Sequence, residues 1–267
     1  MRIAVLIAVR NEASQLRVLL PLLAQQALDV VIIDNDSEDE LASVLERHPV
    51  SRYQRLPFLG YFSLTQQMEA KRDIIAELDH DWIVHQDADE VLQHADPTRN
   101  LRDAICEADA GGYNALNFRE FCFIAEPGED YEGRNYPVEM HQYYHFAPFA
   151  NRLNRAWQRS ANLDSVRSRG HKLTGENINF APRDHSLRHY LALSQSHVLR
   201  KYLNRVFDAS ELEAGAHINR VGLTREMLEL PASSPFLHRL EAGSLESLQT
   251  EPVAKNHFWH WTDNELA

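Results

Sequence analysis

The sequence predicts an α/β fold: a mostly parallel sheet flanked by helices, with a C-terminal helical elaboration. Three observations predict it. Ile3–Val9 is a continuous apolar run, the pattern of a strand buried on both faces. Strand and helix patterns then alternate through the first 92 residues. Each of the three apolar strands there ends in a polar cluster, and open parallel sheets bind ligands beyond the carboxyl ends of their strands.

The elements follow in order. From Ser14 the spacing of Leu16, Leu19, Leu20, Leu22 and Leu23 predicts a helix with Ser14 as its N-cap. Residues 29–33 predict a second strand running into Asp34-Asn35-Asp36-Ser37-Glu38-Asp39, a turn that opens a helix through Leu41, Val44 and Leu45. A helix over 63–78 and a short strand over 82–85 come next, and the strand closes on Gln86-Asp87-Ala88-Asp89-Glu90. Residues 101–110 read as helix and 113–124 as strand, while 126–137, rich in Gly, Pro, Asp and Glu, reads as a surface loop or substrate-facing insertion. From about 187 to 230 the pattern is mostly helical, with a break near Gly215. The stretch around Trp259 and Trp261 carries no assignable period. With no internal repeat and no linker, one domain is expected across residues 1–267.

Composition narrows the function. There are 27 Lys and Arg against 39 Asp and Glu, a net charge of −12, which argues against a general nucleic-acid binder. The charge is uneven: residues 1–133 hold 11 basic and 25 acidic side chains, whereas 152–205 hold 11 basic and 3 acidic. That division suggests metal-holding carboxylates facing groups that receive an anion. Cys106 and Cys122 are too few for a disulfide framework or a four-cysteine zinc site, so a reducing compartment is expected. No window approaches 18 apolar residues, and the first apolar run is cut by Arg10, Asn11 and Glu12, too early for a signal peptide. A cytoplasmic location is the expectation, with peripheral attachment at the inner face of a membrane compatible with it.

Asp87-Ala88-Asp89 is the central motif. Two carboxylates two residues apart at a strand end can turn into one cavity and share a hard divalent cation. Asp-x-Asp occurs at 34/36, 79/81 and 87/89, but at 87/89 a hydrophobic strand leads in and Glu90-Val91-Leu92 leads out. The first strand with Val9-Arg10-Asn11-Glu12, the 33–39 turn, and Asp81-Trp82-Ile83-Val84-His85-Gln86-Asp87-Ala88-Asp89-Glu90 together resemble the family 2 glycosyltransferases. The resemblance covers residues 1–92. It continues more loosely through His171-Lys172-Leu173-Thr174-Gly175 and Leu187-Arg188-His189-Tyr190, then Ser194 and Lys201, a pattern similar to a bacterial branch associated with surface polysaccharide synthesis.

The resemblance implies the GT-A fold, whose Rossmann-like sheet binds a nucleotide diphosphate sugar with Mn2+ or Mg2+. It implies a nucleotide-sugar-binding half over 1–110, an acceptor and metal-completing half over 111–205, and a helical extension over 206–267. Asp87 and Asp89 match the metal and diphosphate position, and Asp34 matches the residue that meets the nucleobase. Arg10 and Glu12 match the first loop around the nucleotide. His189 is the candidate to complete the metal shell, with Arg188 and His171 candidates to touch diphosphate. The acceptor would be a glycan or a lipid-linked glycan. An inverting transfer needs a base for the acceptor hydroxyl; Asp164 and Glu176 lie in the appropriate part of the chain, and Glu120 is a further candidate. The aromatic stretch over 136–157, with Tyr136, Tyr143, Tyr144, Phe146, Phe149 and Trp157, is expected to be mostly core, although sugars also stack on such rings.

Two other readings compete. A sugar nucleotidyltransferase shares the sheet and the acidic site, but that class shows a Gly-rich loop after the first strand, where this chain has Arg10-Asn11-Glu12-Ala13. A non-catalytic module for nucleotide sugars or glycans would bind without turnover.

Overall fold

A computed structural model describes residues 1–148, 153–166, 168, 170–241 and 248–262. The first part runs β1 (Ile3–Val9), α1 (Ala13–Gln25), β2 (Asp29–Asp34), α2 (Leu41–Arg47), β3 (Arg52–Arg55), α3 (Leu64–Glu77) and β4 (Trp82–Asp87). Then come β5 (Glu90–Gln93), α4 (Leu101–Ala110), β6 (Ala115–Ile124), α5 (Tyr136–Glu139), β7 (Gln142–Phe146) and β8 (Leu153–Gln158). The last part holds β9 (Phe180–Ala192), α6 (Gln195–Tyr202), α7 (Ala209–Glu213), β10 (His238–Arg239) and β11 (Val253–Ala254). Single 3-10 turns stand at Arg159–Ala161, Ile218–Arg220 and Phe258–His260.

The fold class is α/β, with one large sheet flanked by helices. Strands β3, β2, β1 and β4 lie side by side and parallel; β8, β6 and β7 extend the sheet antiparallel, and β9 pairs with β5 and β6. All seven residues of β1 are buried, as an unbroken apolar run requires of a strand covered on both faces. Alternate residues serve opposite faces. Ile3, Val5, Ile7 and Val9 pack with α1 and α4, while Ala4, Leu6 and Ala8 pack with Ala70 and Ile74 of α3. Each such Ile or Leu contributes about 1.5–3 kcal/mol of burial, so the parallel half is the firm base on which the loops stand.

Helix ends are set by side chains. Ser63 accepts from Gln66 N at α3, Asn100 and Asp103 form a reciprocal box at α4, and Ser194 accepts from His197 N at α6. The first helix differs from expectation. It begins at Ala13, whose N–H donates to Asp39 at 2.8 Å, so the cap comes from the second loop and Ser14 already lies within the first turn. A larger difference is at 187–192, expected to be helical: it is the end of β9, and helix starts only at Gln195. Pairing on both edges, with β5 and with β6, overrides the local pattern there. Beyond α6 the C-terminal elaboration has short helical turns and two short strands that extend β7. Of the aromatic stretch, Tyr136, Tyr143, Tyr144 and Trp157 are core, Phe146 reaches the cleft, and Phe149 lies outside the described residues.

Candidate active site

The registers Val9 to Asp34 and Ala8 to Asp87 bring the carboxyl ends of β1, β2 and β4 to one edge of the sheet. A cleft of about 1770 Å³ opens there. Its first two loops are locked together. Arg10 donates to Asn35 O at 2.8 Å and to Asp36 O, and its guanidinium lies 3.5 Å from the Phe58 ring centre. Asn11 sits at φ 57°, a left-handed conformation its short amide tolerates, and its Oδ1 accepts from Glu38 N at 2.8 Å. Asp34 is buried behind these loops, accepting from Tyr53 Oη at 2.7 Å and Ser37 N at 2.8 Å, and is not among the cleft-lining residues.

The turn from β4 to β5 carries the acidic centre. Asp87 is half exposed to the cleft, with Lys71 Nζ at 4.0 Å, His85 Nε2 at 3.7 Å and Arg155 Nη2 at 3.8 Å. Burial opposes its charge, but contact with His85 and the charges of Arg155 and Lys71 outweigh this and hold Asp87 well below the usual carboxylate range. Arg155 is fixed from behind by Glu90 Oε1 at 2.6 Å and by Gly170 O at 3.2 Å. Lys71 is buried against His85 at 3.1 Å, and desolvation lowers its ammonium to about 8.

Asp89 lies inward, 4% exposed, where Lys201 donates to it and His189 Nε2 stands 3.1 Å away. His189 reaches this point because β9 slots between β5 and β6, in register with Glu90 on one side and Cys122 on the other. Its Nδ1 meets Glu120 Oε1 at 2.7 Å. Although burial disfavours charge on the imidazole, Asp89 and Glu120 hold its proton well above the ordinary range. Burial likewise works against Glu120, yet the His189 hydrogen bond and charge bring it down to about 2. Glu12, 3.5 Å from Lys201, moves the other way: burial, with Asp89 and Asp87 nearby, raises it to about 7.

The sequence candidates therefore divide. Arg10, Glu12, Asp87, Asp89, Glu120, His171 and His189 line the cleft, and Asp89, His189 and Glu120 are in direct contact. Asp164 and Glu176 do not line it; Asp164 accepts from Val166 N in a turn, and Glu176 is exposed. Arg188 is next to His189 on β9 and so turns to the other face, toward the Phe123 ring at 5.7 Å. Lys71, His85 and Arg155 were missed. A signal existed for two of them: Lys71 shares the buried helical spacing of Gln67 and Ile74, and Arg155 directly precedes the apolar pair Ala156 and Trp157.

The donor set can be tested against a divalent cation. Adjacent ligands of a six-coordinate ion with bonds of about 2.1 Å stand about 3.0 Å apart, and Asp89 Oδ2 and His189 Nε2 are 3.1 Å apart. The carboxylate donors suit Mn2+ or Mg2+, and the imidazole adds one nitrogen donor beside them. Glu120, Cys122 and His189 also offer ligand atoms within 4.8 Å of one another, although burial pushes the Cys122 thiol up to about 12. The donor atoms fit such an ion once it displaces both the proton on His189 and the Lys201 ammonium, which bonds the same Asp89 Oδ2.

No protein-family model matches the chain, and no curated protein matches it in sequence. Among solved structures, mannosyl-3-phosphoglycerate synthase from Rubrobacter xylanophilus overlays on 80% of this chain and 70% of its own, at 13% identity and a TM-score of 0.37. Glucosyl-3-phosphoglycerate synthase from Mycobacterium tuberculosis, solved with Mn2+, UDP and glucosyl-3-phosphoglycerate, overlays on 45% of this chain at 13% identity and a TM-score of 0.32. The overlap spans 44% of that synthase, under half its length. A Bacillus anthracis protein assigned as a glucose-1-phosphate thymidylyltransferase gives 14% identity, 48% and 58% coverage and a TM-score of 0.31. Overlaps this loose carry no argument about activity, which has to come from the site itself.

Proposed function

We propose that the chain is a glycosyltransferase that moves a sugar from a nucleotide diphosphate sugar to a glycan or lipid-linked acceptor, with inversion. The observation that carries this reading is the pair Asp87 and Asp89 at a parallel-strand end, each already matched by cations, in one cleft. Small-molecule pockets run to about 300–1,000 Å³, so a cavity of about 1770 Å³ has room for donor and acceptor together. A bound Mn2+ or Mg2+, held by Asp89 and His189 with Asp87 beside them, would neutralise charge on the departing diphosphate. Lys201 and Arg155 supply fixed positive charge at the same place. For the acceptor proton we assign Glu120, which lines the cleft and meets His189 Nδ1 at 2.7 Å. Asp164 and Glu176 lie off the cleft and are not carried forward as bases.

A thermal-shift panel of nucleoside diphosphates with and without Mn2+ tests the reading. A cognate nucleotide at about 100 times its Kd should stabilise the fold by about 2.7 kcal/mol, and only with the metal present. Asp87→Asn should remove that shift; because it also takes the carboxylate from beside buried Lys71, the nucleotide shift is read against the variant's own, lowered apo melting temperature. Asp89→Asn is a poorer probe, because Asp89 is itself buried and holds both Lys201 and His189, so the substitution should lower the apo melting temperature as well. Absence of any nucleotide-dependent shift, or full turnover by Asp87→Asn, would overturn the assignment.

A further inference from the structure

The wall of the cleft built after α6 holds two arginines that form no ion pair among the described residues, although the charges of Glu12 and Asp89 reach Arg205. Arg205 and Arg220 both line the cavity and are half-buried. Among the described residues neither guanidinium meets a carboxylate; each lies over aromatic rings instead. Arg205 stands 4.1 Å from the Phe62 ring centre, and Arg220 stands 5.7 Å from that of Tyr202.

Both are held by structure outside the acidic centre. Phe62 and Phe207 form a parallel bridge, with Phe62 N donating to Val206 O at 2.8 Å and Asp208 N to Phe62 O at 3.0 Å. Phe207 stacks on His217, which Glu211 holds at 2.9 Å, and the same Glu211 accepts from Thr65 N at the start of α3. The Arg220 turn starts from the same His217, whose O accepts from Arg220 N at 2.8 Å, and is pinned further: Asn219 O accepts from Trp259 Nε1 at 3.1 Å and has His260 Nε2 at 2.8 Å.

A guanidinium stacked on its face keeps its edge N–H groups for an in-plane oxyanion. Two partly desolvated like charges side by side are costly unless something negative joins them. Burial, and then the nearness of Arg220, lowers Arg205 from its ordinary value. The acidic centre has cations of its own in Lys201, Arg155 and Lys71, on other elements. We propose that Arg205 and Arg220 form a subsite for a phosphate or carboxylate group carried by the acceptor, separate from the donor diphosphate. This deepens the transferase reading and rests on it.

Calorimetric titration of the full chain with inorganic phosphate tests the subsite, using wild type, Arg205→Gln, Arg220→Gln and the double variant. A parallel titration uses Mn2+ with UDP or GDP. Saturable phosphate uptake is expected in the wild type, persisting when Mn2+ and nucleotide are saturating. Each single substitution should weaken it about tenfold, the double variant should lose it, and nucleotide affinity should stay within about threefold. Melting temperatures should hold or rise, since an uncompensated charge is removed. A merely structural role predicts the reverse, a lower melting temperature with phosphate uptake unchanged. Arg220→Gln keeps the test alive should Arg205→Gln fail to fold, because the Arg220 turn has its own ties to Trp259 and His260 through Asn219 O. No phosphate uptake in the wild type, or undiminished uptake in the double variant, overturns the subsite. Parallel loss of nucleotide binding assigns the arginines to the donor and overturns the acceptor assignment. Phosphate uptake without nucleotide binding in any form of the chain sinks the transferase reading and leaves only an anion site.

Discussion

Gly170 shows how much of the site hangs on one backbone position. It stands at φ +80°, and a Cβ placed there would come within 2.4 Å of the His85 ring, while its carbonyl holds Arg155. Gly170→Ala therefore combines left-handed strain of about 1–2 kcal/mol with displacement of His85, Lys71 and Arg155 from Asp87. Gly112 is a matched control, at φ +74° with nothing within 4 Å of its virtual Cβ. Gly112→Ala should carry the backbone cost alone; Gly170→Ala should cost more in urea denaturation and also depress turnover. Equal losses in both, with activity intact in Gly170→Ala, would show that the His85 contact does not matter. Nothing in the local sequence announced this. Asp87 and Asp89 were legible because a buried strand led into them, but the partners of Asp89 and Glu90, Lys201 and Arg155, lie 112 and 65 residues away. Only the folded sheet joins them.

At the scale of elements, legibility tracked apolar continuity. β1, β2 and β4 are buried runs that a single chain can advertise. Arg52–Arg55 is Arg-Tyr-Gln-Arg, an edge strand defined by pairing with β2, and β9 mixes charged and apolar residues because it is covered unevenly along its length. β9 also carries a titration of its own. His185 is 3% exposed, its ring tilted against those of His94 and Phe118, and Ala95 N donates to its Nδ1 at 3.2 Å. Burial, reinforced by His94 and Arg183, lowers its proton affinity from 6.5 to about 4. As pH falls, the unfolded chain takes up this proton first. Stability present above pH 6.5 is thus lost between about 6.5 and 4, by about 3 kcal/mol at most. Urea melts across that window should show a shallower decline for His185→Gln, which keeps an acceptor for Ala95 N but has nothing to titrate. An identical slope in both proteins would mean that His185 is not a source of acid sensitivity.

Taken whole, the molecule unites an acidic front half with a cation-rich later segment, and the candidate site is where they meet: Glu12, Asp87, Asp89 and Glu90 from the first, Arg155, His189 and Lys201 from the second. β9 has a temporal consequence. It fills the place between β5 and β6, yet it is made about 60 residues after β6. At elongation speeds of about 5–20 residues per second, the nascent chain spends several seconds with two open sheet edges and with Asp89 and Glu120 lacking their shared histidine. A fragment ending at residue 179 reproduces that stage. It should sediment and bind a hydrophobic dye in proportion to its concentration, because unpaired edges recruit other strands, whereas a soluble, native-like fragment would show that the sheet closes without β9. The last strand of the centre is thus also a checkpoint in time: a chain interrupted before residue 180 has neither β9 between β5 and β6 nor His189 beside Asp89, so an unfinished copy lacks the candidate centre.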